Sequence, residues 1–441
     1  MSFSNKIFSI FKRDLLLFVT NLLTGVVVAR TLGPTMLGVW MILSLLPAYA
    51  ESFGRLKADV ASVYFIGQKT FRREDILFNL NVIALVSSIL VVGIVFWQFE
   101  LMYEWLFVNE IADYRAELSA LSIQIPLNFL YLNYSYFHLA NENINTYNRM
   151  LVIYALVNST IAIILLLFTT LGLWSVIIAS LLSLLLALLY GWKSIDRESW
   201  KQGHLDRKVS FALIKYSLHI YFSGILGQLR QSGTNLIALS YLLSSQIAFL
   251  GQGQGVGRIL FKMSNAINDV LYPRISKTGS SVINITCKSF RISSILLLCG
   301  GLILVVAAEV LIIFLYGEPF RPTIEVVYYL LPGLVFIGAS SSLISFFNGT
   351  GRAKLIPRVQ ILPILTQILL AFPLIELWGL VGAALSITVG MILYGISLII
   401  VFIKITKIPT NQLLPNFDDF HYLMMFAFNS FKTIFGRGKK V

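Results

Sequence analysis

Five polar residues, Gln254, Arg258, Lys262, Asn265 and Asp269, recur at spacings of four, four, three and four in an otherwise apolar part of the chain. That spacing sets all five on one stripe of an α-helix. Arg258 and Lys262 lie one turn apart, where like charges repel. A charge in a bilayer core costs roughly 2.5–3.5 kcal/mol on insertion scales, so such a pair belongs against water or an anion, not lipid. The chemistry on offer is anion binding, with Gln254 and Asn265 adding amide hydrogen bonds. The competing reading is a packed polar interior in which Asp269 is the counter-ion.

Two further stripes have the same spacing. Tyr221, Gly224, Gln228, Gln231 and Asn235 form one, with Arg230 on a neighbouring face, and Gln124, Asn128, Tyr131, Ser135 and His138 form the other. Amides and tyrosines suit sugar hydroxyls, and they also hold helices together across a membrane. Glu51 and Arg55 are an i, i+4 pair that neutralise each other. Arg30 closes an apolar run where an arginine snorkels to the interface. The glycine run GQGQGVG (251–257) follows no strand, so it is not a dinucleotide loop, and its expected role is close helix packing or a pliable helix start. The four histidines lack metal-ligand spacing, and no nucleophile, base and oxyanion set is present. Cys287, in a basic loop, and Cys299, in an apolar run, build no disulfide framework. The sequence therefore predicts no catalytic residue, no metal site and no enzyme.

The elements that must carry these stripes follow from composition. Hydrophobic residues are 57% of the 441 and charged residues 12%, against roughly 25% charged in soluble domains. Mean hydropathy is +0.80. The expected fold class is an all-α polytopic membrane protein. At ~20 apolar residues per crossing, twelve transmembrane helices are expected: 14–31, 37–54, 77–97, 117–137, 150–170, 174–192, 214–240, 246–271, 291–316, 324–347, 356–375 and 380–403. The net charge of +13 fits cytoplasmic loops and anionic lipid better than nucleic acid. With the N-terminus inside, 28 of the 34 basic residues fall on inner segments, leaving Arg30, Arg115, Arg230, Arg258, Lys262 and Arg321. Both termini are therefore expected to be cytoplasmic.

A weak internal repeat appears at an offset near 210. It pairs Leu32 with Leu242, Phe137 with Phe347, and LGLWSVIIAS (171–180) with WGLVGAALS (378–386). It predicts an N-terminal six-helix bundle, 1–205, and a C-terminal one, 206–404, in parallel repeat with a site between them. The tail, 405–441, carries Phe417, Phe420, Met424, Phe428, Phe431 and Phe435 at helical spacing, with lysines and arginine beyond. It reads as an amphipathic helix on the cytoplasmic surface.

At VVVARTLGPTMLGVWMIL (26–43) the sequence resembles the polysaccharide flippases of the O-antigen (Wzx) type. YPRIS (272–276), LYGEPFRPT (315–323) and FNGTGRAKL (347–355) add to the likeness, which runs from the first span to Lys404. The resemblance implies the multidrug/oligosaccharidyl-lipid/polysaccharide exporter fold, two six-helix bundles around a central cavity. It implies an undecaprenyl-pyrophosphate-linked oligosaccharide as substrate, carried across the bacterial inner membrane. It also carries Arg30 over as a functional cation. Family members often have an aspartate in the seventh span where this chain has Asn235.

The combined expectation is a flippase for an O-antigen or polysaccharide repeat unit, working by alternating access. Its substrate-binding residues are Arg30, Arg230, Arg258, Lys262, Gln254, Gln228 and Asn235, with Arg55, Gln124, Asn128 and Asp269 secondary. Arg230, Arg258 and Lys262 are the expected cavity cations. No cofactor is expected beyond a coupling ion, H+ or Na+. The expected partners are the lipid-linked oligosaccharide, membrane lipid, a polysaccharide polymerase and chain-length proteins. A lipid II flippase is the nearest alternative. A cation-coupled multidrug antiporter would call for intramembrane carboxylates, and a polymerase or glycosyltransferase for a large extramembrane loop.

Overall fold

In the computed structural model the described residues are 3–196, 200–275, 282–416 and 419–421, with side chains described for 13–196, 200–261, 282–416 and 419–421. The main elements are α1 (Phe3–Tyr49), α2 (Ala58–Gly67), α3 (Arg73–Trp97), α4 (Phe99–Leu106), α5 (Arg115–Ser122), α6 (Gln124–Ala140) and α7 (Ile144–Phe168). They continue with α8 (Leu173–Lys193), α9 (Arg207–Ala238), α10 (Ser244–Ile275), α11 (Val282–Tyr316), α12 (Thr323–Gly349) and α13 (Leu355–Thr406). No strand occurs among the described residues. Lipid offers backbone groups no hydrogen bonds, so an apolar chain satisfies them within helices.

Eight helices among the described residues are long and apolar enough to cross a membrane. Two of these are broken. As one rod, the 47 residues of α1 would run about 70 Å, over twice a bilayer core. The helix breaks at Gly33 (φ 70°, ψ 176°), so the expected spans 14–31 and 37–54 are its two arms. The second arm ends in a π-helical turn, Ala50–Gly54. Likewise α13 breaks at Gly379, between the expected 356–375 and 380–403. A Cβ on Gly382 would overlap the Leu374 carbonyl, although residues eight apart lie about 12 Å apart in a straight helix. The chain therefore doubles back there. The short α6, of 17 residues, and the polar α10 fall outside the eight.

Four details differ from expectation. The span 117–137 is two helices, because Pro126 has no N–H to give the Ser122 carbonyl, and α6 begins just after Ile123. A helix not foreseen, α2, occupies what reads as a loop. Cys287 is buried within α11, which starts nine residues earlier than the expected 291. In the tail, Thr410–Leu413 is a 3-10 turn; of the amphipathic helix expected from Phe417 onward, residues 417, 418 and 422–441 lie outside the described residues.

The chain divides into two compact units. Unit one is Met1–Gln228, Leu239–Ala248 and Leu315–Pro319; unit two is Leu229–Ala238, Phe249–Phe314 and Phe320–Val441. In unit one, Tyr131, Tyr134, Phe137, Met150 and Leu184 form a buried cluster. The absence of a side chain at Gly191 makes room there for Met150, whose Cε would lie 2.5 Å from a Cβ. In unit two, α12 is the inner helix, with 72% of its apolar window buried against 17% for α7 of unit one. Small residues let α12 and α13 approach closely: a Cβ on Gly333 would meet the Thr388 Cα at 2.9 Å, and one on Gly395 the Phe336 ring at 2.5 Å.

The two segments paired by the repeat, 171–180 and 378–386, turn on glycines with nearly the same backbone angles. Gly172 has φ 56°, ψ −120° and Gly379 has φ 53°, ψ −126°. That conformation is closed to residues with a Cβ.

Candidate substrate cavity

The polar stripe of α10 is built beside a stripe of glycines. A Cβ at Gly253 would sit 2.6 Å from Val326, and one at Gly257 would overlap Leu334. The glycine run is therefore the face that lets α10 lie close against α12. Gln254 and Arg258, one residue further along, line a cavity of 410 Å³ wholly within unit two. The last turns of α9 add Arg230 and Gln231. α12 supplies Leu330, Leu334 and Ile337, and α13 supplies Gln360, Met391 and Tyr394.

The polar members are held in place. The Arg230 guanidinium carbon lies 5.3 Å from the centre of the Tyr394 ring, a cation–π arrangement. The Tyr394 hydroxyl accepts from Gln360 Nε2 at 2.9 Å. Gln367 Nε2 donates to the Arg230 carbonyl at 3.2 Å and to Thr234 Oγ1 at 3.0 Å, fixing α9 against α13. Gln254 Nε2 donates to Asn235 Oδ1 at 3.0 Å. Arg230 Nε and Gln360 Oε1 are buried with no hydrogen-bond partner. Among the described residues no carboxylate lines the cavity, and neither Arg230 nor Arg258 has an ion-pair partner. Two guanidiniums and several amides without a counter-ion make a site for an anion with hydrogen-bonding oxygens.

Of the expected substrate residues, the structure brings Arg230, Gln254 and Arg258 together and joins Asn235 to them through Gln254. Gln228 precedes the cavity segment and is not among its lining residues. The side chains of Lys262 and Asp269 lie outside the described residues. Arg30 belongs to unit one, where its Nε donates to the Leu315 carbonyl at 2.9 Å. It thus covers an open carbonyl in the last turn of α11, a favourable place for a cation.

A second polar cluster lies within unit one. Arg55 contacts Glu51 at 3.2 Å and Asp59 at 2.6 Å, and Asn128 Nδ2 donates to Glu51 at 3.3 Å. Lys57 Nζ also lies 3.8 Å from Glu51, so the expected neutralising pair is a cluster of four charges, with Asp59 and Lys57 the missed members. Arg55 and Asp59 are both buried. Gln124, half-buried at the start of α6, lies two turns before Tyr131. Ser135 donates to the Tyr131 carbonyl within α6, and His138 Nε2 bonds the Gly191 carbonyl of α8, so His138 joins these two helices. Tyr394 and Gln360 were also missed. Their signal was a tyrosine and a glutamine standing almost alone in apolar spans.

A family profile described as polysaccharide biosynthesis protein matches residues 27–325, about two thirds of the chain. The chain belongs to that family. No curated protein matches it. Among solved structures, it is similar to an inward-facing MATE family multidrug resistance transporter of the MOP superfamily, with 14% identity and TM-score 0.72 over 89% of this chain and 95% of that one. It is also similar to the lipid II flippase MurJ in an inward closed conformation, with 15% identity and TM-score 0.71 over 92% and 88%. A third likeness is the Vibrio cholerae MATE transporter VcmN in its bent form, with 14% identity and TM-score 0.59 over 91% and 97%. At these identities the likeness is one of fold. This member of the polysaccharide biosynthesis family thus has the exporter fold that its opening motif implies, and is a multi-pass membrane protein.

Proposed function

We propose that this protein is a flippase that moves an undecaprenyl-pyrophosphate-linked oligosaccharide, an O-antigen or polysaccharide repeat unit, across the bacterial inner membrane. In this reading twelve helices form two six-helix bundles, both termini are cytoplasmic, and no bond is made or broken. The observation that carries it is the pair Arg230 and Arg258 in one cavity that no carboxylate among the described residues lines. A pyrophosphate needs cations with directed donors, and arginine forks supply both. Substrate drives alternating access only by binding the inward-open and outward-open forms unequally. Family membership and fold support the reading.

Lipid II, another polyprenyl-pyrophosphate sugar, is the second reading, supported by the fold likeness to the MurJ structure. A multidrug antiporter for organic cations is disfavoured, because the described cavity would repel its cargo.

Reconstitution into vesicles with a fluorescent polyprenyl-pyrophosphate oligosaccharide tests the proposal, with protection of the headgroup from an added quencher as the readout. Translocation should depend on the protein and fall about a hundredfold in the Arg230→Gln, Arg258→Gln double variant. No translocation of such a lipid, or full activity in the double variant, overturns it. Faster movement of lipid II than of the oligosaccharide lipid would select the second reading.

A further inference from the structure

Resting on the flippase reading, the geometry points to a narrower role for the unit-two cavity: it holds the head–tail junction of the lipid carrier, the diphosphate and the first isoprene, and not the sugar.

The walls of the cavity differ in kind. Arg230 and Gln231 from α9 face it together with Gln254 and Arg258 from α10, whereas α12 contributes Leu330, Leu334, Ile337 and Ile344, with Ser341 the one polar member, its hydroxyl already given to the Gly338 carbonyl. A sugar against that aliphatic wall would leave hydroxyls without partners, which costs more than it gains. An isoprene chain asks nothing else of its surroundings. The buried Arg230 Nε has no hydrogen-bond partner among the described residues, and its guanidinium is already steadied by the Tyr394 ring. It is a donor in place before any ligand arrives.

Volume narrows the occupant. At ~30 Å³ per water-sized group, the 410 Å³ cavity has room for about fourteen such groups. A diphosphate has about nine non-hydrogen atoms and an isoprene unit about five, so together they fill it. An oligosaccharide of three rings, at about eleven non-hydrogen atoms each, exceeds that room on its own. Carrier recognition therefore resides in unit two, and the sugar is left to other surfaces. One consequence is that changes in this cavity alter carrier preference without changing which sugar is accepted.

Binding to the purified full-length protein in lipid nanodiscs tests this with three probes: geranyl diphosphate, inorganic pyrophosphate and geraniol. Each buried methylene contributes roughly fourfold, so geranyl diphosphate should bind at least about tenfold tighter than pyrophosphate, and geraniol should show no saturable binding. Ile337→Trp and, separately, Met391→Trp should bring the two diphosphate affinities together, and Arg258→Gln should weaken both about tenfold. Equal affinities in the unaltered protein overturn the proposal, as does a prenyl preference that survives in both tryptophan variants when these fold. Displacement of geranyl diphosphate by phosphatidylglycerol would make this a phospholipid site and also overturn it. Translocation assays keep the two readings apart. Oligosaccharide lipid moved without any prenyl preference sinks the cavity assignment alone. Prenyl-selective binding without translocation sinks the flippase reading and leaves the site.

Discussion

The guanidinium of Arg230 lies 5.3 Å from the centre of the Tyr394 ring, and the Tyr394 hydroxyl is bonded to Gln360. The ring thus orients a cation that has no carboxylate partner among the described residues. A buried cation–π contact contributes about 2 kcal/mol, close to thirtyfold in affinity. Tyr394→Leu should therefore weaken diphosphate binding by about that factor. Tyr394→Phe keeps the ring and loses only the Gln360 bond, so it should cost no more than severalfold. Titration of both variants with pyrophosphate checks the ordering, and equal losses would assign the effect to the hydroxyl.

Gly38 packs on the backbone of Ser244, whose carbonyl an added Cβ would overlap. The same turn is held by Asn109, which donates to the Leu239 carbonyl at 2.9 Å and to the Leu242 carbonyl at 3.2 Å, and by Glu110, which accepts from Ser244. Backbone cannot swing aside as a side-chain tip can. Gly38→Ala should cost about 1–3 kcal/mol. Gly93→Ala, in α3 with nothing within 4 Å of the new carbon, should instead stabilise by about 0.5–1 kcal/mol. Survival of folded protein after heating in detergent separates the two.

Arg55 and Asp59 form a buried pair at 2.6 Å. Arg55 also pairs with Glu51, but Arg55 is the one ion-pair partner of Asp59 among the described residues, so removing it strands a buried carboxylate, at about 3–5 kcal/mol. Arg55→Met should therefore lower the unfolding temperature sharply. Replacing both residues with apolar ones, Arg55→Met and Asp59→Leu, should recover most of the loss. Recovery of stability without recovery of translocation would show that the charge cluster also serves transport.

Much of this architecture is written in hydropathy, because lipid leaves the backbone no choice but helix. The cavity was half legible. Arg230, Gln254 and Arg258 stand out since a cation within an apolar stretch needs a reason, and helical spacing put two of them on one face. Tyr394 and Gln360 have no such mark. Each is a single polar residue in its turn, and only the doubling back of α13 at Gly379 brings them to one wall. Asp59 was missed for a different reason. The chain from Arg55 onward reads as a charged loop, and the ten-residue apolar α2 is too short to announce itself by length. Pro126 could have predicted the division of α5 from α6, since a missing N–H is visible in the sequence.

The asymmetry of 28 basic residues to six predicts both termini on the cytoplasmic side. Alkaline phosphatase fused after Ala112 should be active, and fused after Lys407 should be inactive. The reverse pattern would invert the topology and place the acidic 98–116 segment inside.

Arg291 grips the start of the tail. Its Nε donates to Asp419 Oδ2 at 2.6 Å, its Nη2 to Oδ1 at 3.2 Å, and its Nη1 to the Gln412 carbonyl at 2.8 Å. Burial alone would raise the Asp419 carboxyl, but the Arg291 guanidinium and the Asn416 amide outweigh it and hold the group below the ordinary aspartate value. A folded value below the unfolded one means that the clamp contributes fully above about pH 3.9 and is lost as pH falls through the folded value. Hydrogen exchange of residues 409–416 should therefore stay slow from neutral pH down to about 4.5, after correction for intrinsic rates, and quicken only below. Asp419→Asn should open the segment across that whole range. A lost charge-assisted bond costs about 2 kcal/mol, so local opening should rise about thirtyfold. Truncation after Lys407 would remove this contact along with the tail, which makes the first residues beyond α13 part of the folded unit. If exchange in the Asn variant matches the unaltered protein at neutral pH, the clamp does not hold the segment, and the tail is dispensable from Lys407 onward.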